Sequence, residues 1–422
     1  MSQTNTRLGP LWSPMIPTKS QGQDDLCAVS ARGVRIRYAD GSDLLCGTSG
    51  LWNANLGYGN AAIARAAADA LTKASYLSLH QYENTYARQA AAELIEVCGP
   101  QNYGRVLFST SGGAANDLVM KLARQFHVLR GEASRKAVVA LEGCWHGLTY
   151  GAFALTSDNL GQRMYGVDRR LVVHVPPNNP ERLAAMLAKH GANIAMMVVE
   201  PVLGTGAIPL TDAYIGELIR LRRQYGFLLV ADEVATGFGR TGTFFASENW
   251  PSPPDILISS KGLTNGTSAC AAVIVSHDVA DVFAQPDTVV AHAETQAGTP
   301  VTCATILATL SEMRRLDAVA RAASLSERLD EELVRLAGEE PLVSGTTGKG
   351  CFRSIRLRDR SGTVLPQSEV PTVIAAIRDA GAVVHAAPDG IQLLPALTYG
   401  DELAELFGCI RSGLAAYRRG RE

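Results

Sequence analysis

Phe227-Leu228-Leu229-Val230-Ala231-Asp232-Glu233 runs five apolar residues straight into two carboxylates. An apolar run this short predicts a strand, Phe227–Ala231, buried on both faces of a mostly parallel sheet. In an open α/β sheet the carboxyl ends of the strands face the ligand crevice, so Asp232 is expected in a site. Glu233 reads equally well as a helix cap or a core ion pair. Downstream, Ile256-Leu257-Ile258-Ser259-Ser260-Lys261-Gly262 repeats the pattern with a lysine at the strand end. A lysine is rarely buried without a partner, and a partly desolvated one has a lowered pKa and can form a Schiff base. The alternative is a surface lysine that keeps its amine in water; the strand-end position and the following Gly262-Leu263-Thr264-Asn265-Gly266 favour the buried reading. Upstream, Ser109-Thr110-Ser111-Gly112-Gly113-Ala114-Ala115-Asn116 follows a strand at Arg105–Ser109 and opens a helix at Ala115–Arg130. Small residues there let backbone N–H groups approach an anion. Alone, this is an ordinary small-residue turn. The order of the three, anion turn, Asp232, Lys261, is what carries information.

Outward from these stretches, helical patterns (Ala62–Lys73, Tyr86–Val97, Arg182–His190, Asp212–Tyr225) alternate with short apolar strands (Ala137–Leu141, Ala195–Val199, Ile256–Ser259, Ala271–Val275). That alternation predicts an α/β domain whose sheet is covered by helices. After about Pro300 the texture changes. One long helical stretch, Pro300–Ala337, leads into Cys351–Arg358, Val370–Ala380, Ala382–His385 and Ile391–Leu394, the mixture of a smaller α+β domain. Residues 1–55 are expected to pack with that small domain, 56–310 to form the large domain, and 311–422 the small one.

Lys and Arg (39) nearly balance Asp and Glu (41), so no field points to nucleic acid or an anionic membrane. The eight cysteines make no C-x-x-C pair and the eight histidines no ligand pair at helical spacing, which argues against a metal site. The opening stretch Met1–Met15 has no apolar core suited to a signal peptide, and no apolar run approaches the ~20 residues of a membrane span. A soluble cytoplasmic protein is expected.

With its motifs in this order, the sequence resembles the class III aminotransferases of the fold-type I pyridoxal-phosphate enzymes over most of its length. The resemblance implies a large domain with a mostly parallel seven-stranded sheet. It implies that Lys261 carries pyridoxal 5'-phosphate as a Schiff base and then shuttles a proton, while Asp232 pairs with the ring nitrogen and keeps the ring an electron sink. Trp145-His146-Gly147 matches the family's aromatic-His-Gly motif: Trp145 stacks on one ring face and His146 supports the cofactor. Val234 packs on the other face, and Glu200 lies near the ring hydroxyl. Ser111, Gly112 and Gly113 match the phosphate cup. Thr295 matches a threonine that reaches the phosphate from the neighbouring subunit, which implies a homodimer with shared active sites. Leu11-Trp12-Ser13-Pro14 and Ser49-Gly50-Leu51-Trp52-Asn53 resemble the ω-aminotransferase branch, where Trp52 lines the substrate pocket; Tyr150 is placed near it.

The resemblance also has departures. The phosphate turn usually reads Ser-Gly-Ser-Glu-Ala; here it is Ser111-Gly112-Gly113-Ala114-Ala115, with one hydroxyl fewer. The usual Gly-Asn-Pro is Gly298-Thr299-Pro300. Where many ω-aminotransferases place an arginine for the substrate carboxylate, this chain has His385, which is shorter and lacks the bidentate fork. Either one substrate has no free α-carboxylate at that end, as in a peptide, amide, aldehyde or modified amine of specialised biosynthesis, or another arginine, Arg353 or Arg163, serves. Aminotransfer by a ping-pong mechanism is the expected activity. An aminomutase or decarboxylating transaminase would use the same cofactor residues, and a non-catalytic protein of this fold is the remaining alternative.

Overall fold

The computed structural model describes residues 9–157 and 159–421. Its centre is a seven-stranded sheet built from β1 (Tyr103–Ser109), β2 (Ala137–Leu141), β3 (Val172–Val175), β4 (Ile194–Val199), β5 (Leu228–Asp232), β6 (Ile256–Ser260) and β7 (Ala271–Ser276). The order across the sheet is β1-β7-β6-β5-β4-β2-β3. β7 runs antiparallel to both neighbours, and the other pairings are parallel. Every residue of β4, β5 and β6 is buried. Apolar residues therefore fill both faces of these strands instead of alternating, as a sheet covered by helices on both sides requires.

The covering helices start where the sequence offers caps. Ser111 accepts a hydrogen bond from the N–H of Ala114 at the head of Gly112–Leu129. Thr211 does the same for Asp212–Tyr225, which ends on Gly226 in the left-handed region (φ 72°). Each such cap contributes about 1 kcal/mol.

A second, four-stranded antiparallel sheet, ordered Val343–Lys349, Phe352–Leu357, Gly390–Leu393, His385–Ala387, lies toward the end of the chain. A third sheet joins the chain's two ends. The meander Ala28–Arg32, Arg35–Tyr38, Asp43–Cys46 pairs in parallel with Ala382–Val383 through Leu45 and Cys46. The expected single helical stretch from Pro300 is in fact two helices, Pro300–Arg315 and Ala318–Glu339. Asp317 between them adopts φ 48°, a left-handed conformation that no continuous right-handed helix accommodates. Among the described residues no helix is long and apolar enough to cross a membrane.

Candidate active site

β5 and β6 are neighbours in parallel, with Asp232 paired to Ile258. Both strands therefore deliver their last residues to one edge. There a cavity of about 250 Å³ is lined by Trp52, Gly112, Gly113, Trp145, His146, Gly147, Glu200, Asp232, Val234, Ser260 and Lys261, among others. Residues from five separate stretches of chain thus meet around one lysine.

Lys261 follows β6 and adopts φ 45°, an uncommon conformation for a residue with a side chain. Its amine lies 4.3 Å from the centroid of the Trp52 ring. Burial is the main reason its pKa falls from 10.5 to about 8; Asp232 and Glu200 pull the other way, and Arg240 adds to the fall.

Asp232 is buried and heavily hydrogen-bonded. Its Oδ2 accepts from the Asn116 amide at 2.9 Å and faces His146 Nδ1 at 2.7 Å. Its Oδ1 accepts the N–H of Val234 at 3.2 Å. Burial works against charge on His146, but Cys144 and then Asp232 hold its pKa well above the ordinary imidazole value. His146 Nε2 is buried and has no hydrogen-bond partner among the described residues.

Glu200 accepts the N–H of Trp145 at 2.8 Å and of Gly204 at 3.0 Å. Burial nevertheless pushes its pKa up to about 7. Glu233 is the cap allowed by its sequence position. Its carboxylate accepts the N–H groups of Ala246 (2.9 Å) and Ser247 (2.7 Å) at the turn Ala246–Asn249, and the Thr236 hydroxyl at 2.6 Å.

Opposite the two strand ends lies the head of helix Gly112–Leu129. A Cβ at Gly112 would stand 3.1 Å from Val234 Cγ2, and one at Gly147 would stand 2.6 Å from the Gly113 Cα. Backbone thus crowds backbone at a helix N-terminus, where unpaired N–H groups favour an anion. With the partly desolvated Lys261 amine and the Asp232 carboxylate in the same cavity, this cradle fits pyridoxal phosphate: an amine to bond, a carboxylate that could meet the ring nitrogen and a pocket for the phosphate. Thr149, not singled out from the sequence, places its hydroxyl 3.4 Å from where a Cβ on Gly113 would be, beside the position of the missing serine.

Trp52 sits on an unusual turn. Ser49, Gly50, Leu51 and Trp52 all have positive φ, between 48° and 71°, giving one turn of left-handed helix. For residues with side chains this costs roughly 1–2 kcal/mol each, so the surroundings must hold it. Ser49 Oγ donates to the carbonyl of Leu394 at 2.6 Å. Arg240, wholly buried, donates to Asn55 Oδ1 at 2.6 Å, to Ser49 Oγ at 3.3 Å and to the carbonyl of Pro395. All these acceptors are neutral, and burial lowers its pKa to about 10. Nothing local in the sequence marks Arg240 for this task, since its partners lie about 190 residues before it and 155 after it.

Other expected site residues stand further out. His385 is half-buried behind Trp52, ring centroids 5.8 Å apart and edge-on; burial and then Lys261 lower its pKa. Tyr150 does not line the cavity. It begins helix Tyr150–Leu155, whose buried side is Ala152–Leu155, and is 70% exposed. Thr295 is exposed and separate from the cavity; its carbonyl accepts the Tyr76 hydroxyl at 2.9 Å. Arg353 is spoken for by Asp330 (2.9 Å), Ser326 and the carbonyl of Gly350. Arg163 is exposed and outside the cavity wall, and Trp12 is exposed.

Comparison with known proteins gives this site a family. The family model described as aminotransferase class-III matches residues 18–411. The chain belongs to the class III aminotransferases. It is 30% identical over 413 residues to an omega-aminotransferase of Caulobacter vibrioides, covering 92% of this chain and 93% of that one. It is 33% identical over 392 residues to an acetylornithine aminotransferase of Mycolicibacterium smegmatis, covering 92% of each. It is also similar to the crystal structure of an amine transaminase from an uncultivated Pseudomonas species in its pyridoxal-phosphate-bound form. There the TM-score is 0.89 at 27% identity, over 97% of this chain and 99% of that one. This class III aminotransferase is therefore a pyridoxal-phosphate-dependent transferase with the fold-type I architecture.

Proposed function

We propose that this enzyme moves an amino group from an amine donor to a ketone or aldehyde acceptor in two half-reactions at one cavity, with Lys261 as both the covalent anchor and the proton carrier. The observation that carries this reading is the half-buried Lys261, its amine's pKa lowered to about 8, in one cavity with Asp232. When bound, pyridoxal phosphate supplies an electron sink for the substrate's Cα–H bond. Lys261 Nζ would take that proton and hand it back two bonds away, a task suited to an amine near neutrality. Asp232, its carboxylate held in place by those donors, would pair with the ring nitrogen. Trp145 and Val234 confine the ring's two faces, and Glu200 meets the ring hydroxyl. Gly112, Gly113 and the Ser111 turn hold the phosphate. Thr295 completes that cup from a second copy of the chain, in a homodimer; its exposed position away from its own cavity supports a role across an interface.

The relatives' names point two ways, to ω-amino donors and to acetylornithine. His385 favours the first. Its lowered pKa leaves it neutral beside Trp52, Arg353 is already paired with Asp330, and no arginine lines the cavity among the described residues. A substrate end without a free carboxylate, such as a simple amine, an amide or a peptide amine, meets no buried charge unpaired there. The test is absorbance of the holoenzyme between about 300 and 500 nm, the window of the cofactor's Schiff bases, during addition of amines and α-amino acids. Bleaching by carboxylate-free amines, and a shift toward α-amino acids in His385→Arg, are expected. Equal bleaching by both donor classes in wild type and variant would refute the assignment.

A further inference from the structure

We propose that Asn116 is a positioning residue that fixes the Asp232 carboxylate for the cofactor's ring nitrogen and ties it to the phosphate-binding turn; this rests on the reading of Asp232 given above. Asn116 is fully buried on the helix Gly112–Leu129. Its amide nitrogen lies 2.9 Å from Asp232 Oδ2, 3.2 Å from the carbonyl of His146 and 3.0 Å from the carbonyl of Gly112. All three neighbours are acceptors, which sets the nitrogen rather than the oxygen on that side. One side chain therefore joins the backbone of the phosphate turn, the backbone beside Trp145 and the Asp232 carboxylate.

The other end of the amide argues that this contact, and not packing, is the reason for an asparagine. Asn116 Oδ1 is buried and has no hydrogen-bond partner among the described residues. A lone buried acceptor costs stability, and a leucine would carry no such cost. What the amide gives in return is saturation of Asp232 Oδ2, which already faces His146 Nδ1 at 2.7 Å. Oδ1, with only the Val234 N–H at 3.2 Å, is left as the oxygen for a protonated ring nitrogen.

The experiment compares two ligands that differ only at that ring atom: pyridoxal phosphate and its 1-deaza analogue, in which C–H replaces the nitrogen. Apo wild type, Asn116→Ala and Asn116→Ser are titrated with each, and dissociation constants are read from absorbance and tryptophan fluorescence. Circular dichroism selects the variants that fold, and the milder serine substitution carries the test where alanine does not fold. Wild type should prefer pyridoxal phosphate. In the variants that preference should shrink about tenfold, the scale of one hydrogen bond to a charged group, while affinity for the deaza analogue stays within about twofold. Equal weakening of both ligands would mean that Asn116 only packs, and an unchanged preference would mean that it does not govern Asp232. Either result overturns the proposal. A wild type that shows no preference at all would instead refute the pairing of Asp232 with the ring nitrogen, and the Asn116 proposal with it.

Discussion

Attachment of pyridoxal phosphate to Lys261 should already be fast at neutral pH and should stop accelerating above about pH 8, and this can be worked from the burial of one amine. The lysine's pKa falls from 10.5 to about 8, chiefly because the charged form is desolvated. That difference is worth roughly 3.4 kcal/mol. At pH 7 about one amine in ten is then unprotonated and nucleophilic, against roughly one in three thousand for an ordinary lysine. The assay is rapid mixing of apo-enzyme with pyridoxal phosphate while the visible band grows, from pH 7 to pH 10. The rate should rise about fivefold from pH 7 to 8, gain about another twofold and then flatten, whereas a free lysine derivative continues to climb through pH 9 and 10. A rate on the enzyme that keeps climbing to pH 10 would refute the argument that burial sets this amine's reactivity.

Three further outcomes follow from the same site. Glu200 has its pKa raised by burial to about 7, so between about pH 4.5 and 7 the folded apo-protein holds a proton that the unfolded chain has released. Stability should fall as pH rises through that window, by up to about 3 kcal/mol, and Glu200→Gln should lack that slope when denaturant midpoints are compared. Arg240→Lys keeps the charge but loses the fork that grips Asn55, Ser49 and Pro395. It should lower unfolding free energy by about 2–3 kcal/mol and raise the KM for amines through a displaced Trp52. Gly147→Ala would force a Cβ to 2.6 Å from the Gly113 Cα at a φ of 119°; a loss of about 2–3 kcal/mol in chemical denaturation and a faster release of cofactor are expected.

Lys261 and Asp232 could be read from the sequence because each ends an apolar run, and a parallel sheet sends every such end to one crevice. The central strands were legible for the same reason: burial on both faces leaves no polar residue to blur the pattern. Glu233 stayed ambiguous until Ala246 and Ser247 were seen to meet it. The meander from Ala28 to Cys46 escaped notice because its first strand is exposed along its whole length, so no alternation marks it. The break at Asp317 and the left-handed turn at Ser49–Trp52 were hidden because, apart from Gly50, neither carries the glycines that usually announce positive φ. Tyr150, expected near the substrate pocket, opens the helix Tyr150–Leu155 and is exposed in the single chain. Asn116 lay in plain view inside the phosphate-turn motif. Its role depends on Asp232, which lies 116 residues away, and pairings over that distance leave no local trace.

The most direct test of the central claim is borohydride reduction of the holoenzyme followed by peptide mass mapping, since reduction makes a cofactor–lysine bond permanent. A phosphopyridoxyl mass on the peptide containing Lys261, absent in Lys261→Ala, is the expected result. A label on a different lysine, or none while the visible band persists, would contradict the assignment of Lys261 and the mechanism built on it.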